Sequence, residues 1–542
     1  MLYQLNRSMI PGYINMERKI LLLVVFNLCF YLTVFGQADP VSLSSTPNPA
    51  GWVRVPVGVM PVKTNVTIMK GDSISLDVAA NSTKLTIDSG AVLNSTGDAA
   101  KGNNYTLQVG GAAAPGVDTL QNNGLFGSTT GANDGIILAI APTSSSFKLA
   151  GAGTTAIAAI RPAASNKGLT FHLSQNATLN NAGLAFSALP LADTAAGSDN
   201  IIFNVDTSKT LALINPEGQM HGTNSDGKGG NYTYNIYGTL DLTATKDTQN
   251  FTPMYGSPAS TLALNVNTTG LVKLGSGFNA AATGTSGGKA VFNIADGGLI
   301  DATNTTVMTM GANFFTTNGT GALKRRVDNN DVLFPVGAAG AGTGNSVSLN
   351  NKGVVTNFSV TVQSTAQNTL IPDVTRIVEK QWTITPDSAG VANVTVSPEW
   401  ITADQATNFN PSIPVSVVNY NGTNRFEMKA AIGGQGTAAN PFTAAAAGFT
   451  TFGVFTVEDA KPVTKFVVYP NPVSSIINLS FPLTGGEGTI TVISTNGEKV
   501  FSSAVGSGIT TWSASLSKLA PGAYVISMND GGKINSAKFI KL

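Results

Sequence analysis

Asn200-Ile201-Ile202-Phe203-Asn204-Val205 alternates apolar and polar residues, the period-2 signature of a strand with one buried face. Its apolar–Asn–apolar end returns in Tyr234-Asn235-Ile236, Leu264-Asn265-Val266 and Phe292-Asn293-Ile294, and with His in Phe171-His172-Leu173. Counted on the last apolar residue and extended back through Ile140 and Val109, the series runs 109, 140, 173, 205, 236, 266 and 294, in steps of 31, 33, 32, 31, 30 and 28. A second short strand follows within a few residues: Leu211-Ala212-Leu213 after Val205, Leu240-Asp241-Leu242 after Ile236, Val272-Lys273-Leu274 after Val266. Turn residues such as Thr268-Thr269-Gly270 and Asp296-Gly297-Gly298 separate them. One such unit buries too little to stand alone, but stacked units share a core.

The expectation is an all-β chain led by a parallel β-helix, a solenoid with coils of about 31 residues; hairpins in a sandwich or propeller are the antiparallel alternative. Seven coils at roughly 4.8 Å each make a rod on the order of 35 Å long. The polar residue between two inward neighbours points outward, so His172, Asn204, Asn235, Asn265 and Asn293 are expected to stack as a ladder. A polar ligand-binding face is the other reading of that row.

Composition narrows the function. The 542 residues carry a net charge of +1 and only 11% charged side chains, with 59 glycines, against roughly 25% charged residues in an average soluble domain. No basic patch or charged tail points to nucleic acid. Arg18 and Lys19 precede an apolar run from Ile20 to Phe35 with Gly36 and Ala38 after it, which reads as a secretory signal peptide cleaved after Gly36 or Ala38; a membrane anchor is the alternative, set against by the short run. Residues 1–15 read as an upstream extension. Cys29, the single cysteine, lies inside that segment behind Phe26, Asn27 and Leu28, too large to precede a lipidated cysteine, so the mature chain is expected to have no disulfide or Cys-ligated metal.

Five parts are expected: 1–38 extension and signal peptide, 39–60 cap or linker, 61–305 β-helix, 306–458 antiparallel β-sandwich, and 459–542 a small β-sandwich. Past 306 the 31-residue register is lost and strands such as Phe358-Ser359-Val360-Thr361-Val362 and Gln381-Trp382-Thr383-Ile384 recur between turns, with Trp382 a core residue. The stretch from Leu323 to Phe455, with Leu323-Lys324-Arg325-Arg326, Phe334-Pro335-Val336-Gly337 and Trp382-Thr383-Ile384, resembles a module of large secreted Bacteroidetes proteins. Lys324-Arg325-Arg326 is read as a charge cluster on a strand edge, or else an interdomain protease site.

The last segment carries a more specific resemblance. Lys465-Phe466-Val467-Val468-Tyr469-Pro470-Asn471-Pro472-Val473, Ile477-Asn478-Leu479, Thr495-Asn496-Gly497, Leu519-Ala520-Pro521-Gly522-Ala523-Tyr524-Val525 and the end Lys538-Phe539-Ile540-Lys541-Leu542 resemble the type A C-terminal sorting domain of the type IX secretion system. The resemblance implies an Ig-like β-sandwich, recognition by that machinery, passage through the periplasm, and removal of the domain on arrival. The protein is then attached to the outer-membrane surface or released. It marks Tyr469, Pro470, Asn471, Pro472, Gly497, Pro521, Gly522, Tyr524, Lys538 and Lys541 as sorting-motif positions.

No catalytic, cofactor or metal residue is assigned. Asp206, Asp241, Asp296 and Asp301 lie near strands of successive coils at different offsets and read as turn or surface residues. His172 and His221 are the two histidines, too few for a structural zinc site without cysteine. No Gly-x-Ser-x-Gly or His-Glu-x-x-His motif occurs. Calcium is the one cofactor left open, at Asn224-Ser225-Asp226-Gly227 or Asp328-Asn329-Asn330-Asp331. These features lead to an exported, non-catalytic structural or adhesive surface protein with extracellular glycans or neighbouring cells as partners; the alternative is a polysaccharide lyase or glycoside hydrolase on a β-helix.

Overall fold

The structure, a computed structural model, describes residues 41–42, 52–53 and 65–542, outside the segments 77–79, 83, 96–104, 111–117, 129–134, 141–145, 163–168, 180–198, 215–229, 245–248, 252–260, 282–288, 341–342, 365–373, 389–391, 422–423, 460–464, 483–487, 507–510 and 531. The expected signal peptide with Cys29, most of 39–60, His221 and the loop 224–227 lie outside the described residues.

The fold is all-β, and its first part is a parallel β-helix. One sheet stacks twelve parallel strands from Val41–Ser42 to Val336–Ala338. A second runs from Trp52–Val53 through eleven parallel strands to Ala322–Val327 and continues into five antiparallel ones. Two shorter parallel sheets fill a third side: Ala80–Ser82, Tyr105–Val109, Ile136–Ile140 and Ala159–Pro162, and further on Gln249–Asn250, Gly277–Asn279 and Val307–Thr309. Twelve stacked strands span on the order of 50 Å.

Within a coil the strands of the two long sheets meet at a tight corner. In the coil of Asp199–Val205 and Thr210–Leu213, the Lys209 amide donates to the Asp206 carbonyl (3.0 Å). Alternation explains the burial: in Leu169–Ser174 and Thr261–Val266 every second residue is buried. The inward positions stack coil on coil, with Phe147, Phe171, Phe203, Tyr234, Leu264, Phe292 and Phe315 paired in register. Ring centroids along this column lie 5.7 Å (Phe147–Phe171), 4.8 Å (Phe171–Phe203) and 6.0 Å (Phe203–Tyr234) apart. Burial pushes the Tyr234 hydroxyl far above its ordinary range, with nearby Tyr232 adding to the shift.

The register departs from the expected period. Leu120, Leu149, Leu173, Val205, Ile236, Val266, Ile294, Thr317 and Ala338 are the true equivalents, separated by 29, 24, 32, 31, 30, 28, 23 and 21 residues. Val109 and Ile140 pair with each other, but in the third-side sheet. Alternation marks a strand with one buried face and is the same for every face of the solenoid, so it does not tell one side from another. The shorter coils at 317 and 338 also carry the parallel stack past the boundary expected at 305/306.

From there the chain forms an antiparallel sandwich. Thr356–Gln363, Gln381–Pro386, Val454–Asp459, Val415–Asn421 and Asn424–Ala430 extend the second sheet of the rod. The opposing sheet contains Val332–Phe334, Val347–Asn351 and Val394–Trp400. One core cluster runs without interruption from Ile68 to Val457 and includes Trp382, whose indole donates to the Asn345 carbonyl (2.8 Å). Lys324-Arg325-Arg326 is neither an edge nor an exposed linker. Its strand pairs parallel with Leu299–Asp301 and antiparallel with Thr356–Gln363; Lys324 reaches Asp387 (2.8 Å), and Arg325 turns inward and is buried. The last domain has its own core around Ile477, Leu479, Ile490, Val492, Ile526 and Phe539, between a three-stranded and a four-stranded antiparallel sheet.

If the aromatic column carries the rod, Phe203→Ala leaves a cavity between two coils and costs about 3–5 kcal/mol. The check is the chemical-denaturation midpoint of the rod; a loss under about 1 kcal/mol would show that the column is not a principal support.

Candidate functional site

The most ordered outward feature of the rod is its side-chain amide row. Because Phe203, Tyr234, Leu264 and Phe292 point inward, the next residue of each strand points out, and the pairing sets His172, Asn204, Asn235, Asn265 and Asn293 opposite one another. Asn235 Nδ2 donates to Asn204 Oδ1 (2.9 Å), Asn265 Nδ2 to Asn235 Oδ1 (2.9 Å), and Asn293 Nδ2 to Asn265 Oδ1 (2.8 Å). Every bond runs the same way, so the row ends with Asn204 Nδ2 facing His172 Nδ1 at 3.5 Å. At that end the roles of donor and acceptor follow the tautomer of the His172 ring. Asp206 Oδ1 lies 3.7 Å from the same nitrogen and its other oxygen accepts from the Ser174 hydroxyl.

A second row lies on the outer face of the neighbouring sheet. Asp241, Lys273, Asp301 and Lys324 are opposite one another in successive coils, alternating in charge, with Asp241–Lys273 at 3.6 Å. Asp241 and Asp301 are thus two coils apart, roughly 9.6 Å by strand spacing, with a lysine between them. Each carboxylate is also tied into its own turn: Asp241 Oδ1 accepts from the Thr243 amide (3.0 Å) and hydroxyl (2.6 Å), and Asp301 Oδ1 from the Thr303 amide (3.0 Å) and hydroxyl (2.7 Å). Burial works against the charged form of Asp241, but the Thr243 bonds and then Lys273 outweigh it and hold the carboxyl below its ordinary range. Asp296 is likewise lowered, by the amide and hydroxyl of Thr320. A carboxyl held ionised in this way is poorly suited to protonate a leaving group.

Among the described residues no three His, Cys, Asp or Glu side chains gather as a metal centre requires. Asp328 Oδ1 accepts from the amide and side chain of Asn330 (3.0 and 3.1 Å), and Asp331 Oδ1 from Asn350 (3.0 Å). In the sandwich, sequence reasoning missed two ion pairs with buried carboxylates. Lys380 pairs with Asp404 (2.8 Å), which also accepts from Asn345 (2.7 Å), and Arg376 grips Asp459 with both nitrogens (2.8 and 3.0 Å).

The sorting-motif residues fall into three structural groups. Tyr469, Pro470, Asn471 and Pro472 sit where the first strand leaves its sheet, with both X–Pro bonds cis. The Asn471 side chain accepts from the Ile540 amide (3.0 Å) and donates to the Lys538 carbonyl (3.1 Å), and Val473 exchanges backbone bonds with Ile540 and Leu542 (2.8 and 2.9 Å). Lys538 is exposed, whereas Lys541 is buried with its ammonium on the Leu542 oxygen. The two ends of the motif therefore form one contact. Gly497, at φ +84°, closes the turn whose amide returns to Ser494 (3.0 Å), a backbone shape glycine adopts without cost. Tyr524, beyond Pro521 and Gly522, donates its hydroxyl to Ala520 (2.8 Å).

Residues 467–542 match the family of the secretion system C-terminal sorting domain. With that domain the chain is a type IX-sorted protein, exported to the cell surface or the exterior and handled by the type IX machinery; its passenger is a β-helix followed by antiparallel sheets. A search of curated proteins finds no match. Among solved structures the chain is similar to the enzymatically active domain of tailspike protein 4 of bacteriophage CBA120, at 10% identity and a TM-score of 0.22, covering 87% of this chain and 62% of that one. The chain thus spans less than two thirds of that tailspike chain, and at this score the likeness bears on neither site nor activity.

The amide row allows a direct test. Asn235→Asp with Asn265→Asp puts two carboxylates one strand spacing apart and costs on the order of 1–2 kcal/mol at pH 7. Repulsion raises their folded-state pKa, so the penalty appears as pH rises through that value and fades below the unfolded value of about 3.9. Melting temperatures at pH 7 and pH 4 check this, and an unchanged value at pH 7 would show that the row carries no stability.

Proposed function

We propose that the protein is a non-catalytic surface rod, structural or adhesive, which the sorting domain delivers to the outside of the cell. The observation that supports this most is how the outward side chains are used. The amide row and the Asp241–Lys273 pair direct their bonds along the rod axis into the next coil, Asp296 likewise accepts from Thr320 of the next coil's turn, and Asp241 and Asp301 also serve their own turns. Nothing comparable gathers a nucleophile, an acid and a base around a shared space among the described residues. A long regular face of neutral polar groups suits many weak contacts with extracellular glycans or neighbouring cells, and also suits a scaffold.

Two measurements test the two halves of this reading. Deletion of residues 465–542 is expected to leave the chain in the periplasm, as read by surface protease accessibility; display without that segment would overturn the delivery route. Purified 39–458, with and without calcium, is expected to release no reducing or unsaturated ends from a polysaccharide panel, and any such release would overturn the non-catalytic half.

A further inference from the structure

We propose that the outer face of the first long sheet, between His172 and Asn293, binds one extended chain of neutral polysaccharide lying along the solenoid axis. This rests on the adhesive reading above and names its ligand class. Two parallel rows make up the face, half-buried throughout except at Asn204, which is buried. One is His172, Asn204, Asn235, Asn265 and Asn293; the other, two residues earlier on each strand, is Thr170, Ile202, Thr233, Ala263 and Val291. Apart from His172, none of these ten carries an ionisable group. Lys148, opposite His172, and Lys289, opposite Thr261, stand at its two ends.

Hydrogen-bond valence then defines what fits. A primary amide has two N–H donors and two oxygen lone pairs. In Asn235 and Asn265 the ladder uses one N–H and one lone pair, which leaves one donor and one acceptor per rung. A ligand must offer both at each step, as a sugar hydroxyl does. The rungs repeat every ~4.8 Å, so an extended chain whose sugars advance by a similar distance sets one residue against each coil. The adjoining Thr, Ile, Ala and Val row gives the apolar faces of the rings a flat bed. Charge complementarity points the same way, because among the described residues of these two rows a polyanion would find no lysine or arginine between Lys148 and Lys289. A second copy of this chain is a poorer fit: five rungs by two rows cover on the order of 200 Å², against roughly 800 Å² per partner in a stable interface.

The test uses the purified exported protein in affinity electrophoresis against neutral β-glucan, xylan and mannan, with polygalacturonate as the charged control. Retardation by at least one neutral polymer and none by polygalacturonate is expected. Thr233→Glu with Ala263→Glu, which leaves the amide row intact, should weaken retardation at least tenfold. Ala263→Gln, neutral but bulky, should weaken it too if the glutamates prevent folding. No retardation by any neutral polymer, equal retardation of wild type and folded variants, or preference for polygalacturonate would each overturn the assignment. Reducing ends are measured in the same samples. Their release would sink the non-catalytic reading, whereas failed binding without product would sink this face alone.

Discussion

Every coil of a parallel stack depends on the next coil to take up half of its backbone donors and acceptors, so the rod is only as sound as its last coil. Here the problem is met by changing direction rather than by stopping. Ala322–Val327 takes its parallel partner on one side and Thr356–Gln363 on the other, so the strand of the last coil is not an open edge of that sheet. On the other long sheet, the Thr317 hydroxyl accepts from the Val362 amide (2.8 Å) and donates to its carbonyl (2.9 Å). Between them Arg325 is buried, with its guanidinium on the carbonyls of Leu333 and Thr305. Burial lowers its pKa, yet the group stays cationic, as arginine does in proteins. A cation that bonds to carbonyls instead of a carboxylate is a costly device, consistent with a junction where strand direction changes and regular pairing cannot serve every oxygen.

The sequence made the class of fold legible because alternation with a recurrent polar residue is local information. The four coils carrying Asn204, Asn235, Asn265 and Asn293 are the most regular in the rod, and there the spacing and the outward residue could be read together. What could not be read was the side of the solenoid to which a strand belongs. Thr106-Leu107-Gln108-Val109 alternates as well as Asn200–Val205 does, and only the pairing separates them. The end of the rod was hidden for a related reason: the last coils are shorter, and a change of period looks like a change of domain. Lys324-Arg325-Arg326 was misread because three adjacent basic residues suggest exposure, whereas in a strand they must alternate between faces. The axial alignment of Asp241, Lys273 and Asp301 was hidden because coil lengths vary, and equal offsets in sequence are not equal positions in the stack.

The sorting domain is a separate solution to stability. Its core shares no buried member with that of the rod and sandwich, as expected of a module that serves as an address for different passengers. Its motif residues are mostly devices for shape: Gly497 for a left-handed turn, Tyr524 for a tie to Ala520, Asn471 as a side-chain substitute for a paired backbone along the C-terminal strand. Asn471 bonds to residues 67 and 69 positions away, which joins two stretches far apart in sequence into one piece of structure.

The low charge of the whole chain follows from the same stacking. In a parallel in-register solenoid, an outward position is repeated every ~4.8 Å with no water layer between its copies, so a like charge retained from coil to coil repels itself along the entire rod. Two arrangements avoid this, and both are present: neutral amides, each a donor to one neighbour and an acceptor from the other, and alternation of sign, as in Asp241, Lys273, Asp301 and Lys324. Either one uses side chains to hold coils together, which leaves few charged groups over for clustered chemistry. A rod of this kind therefore presents repetition to its surroundings, and repetition is matched by polymers whose own period is close to the strand spacing.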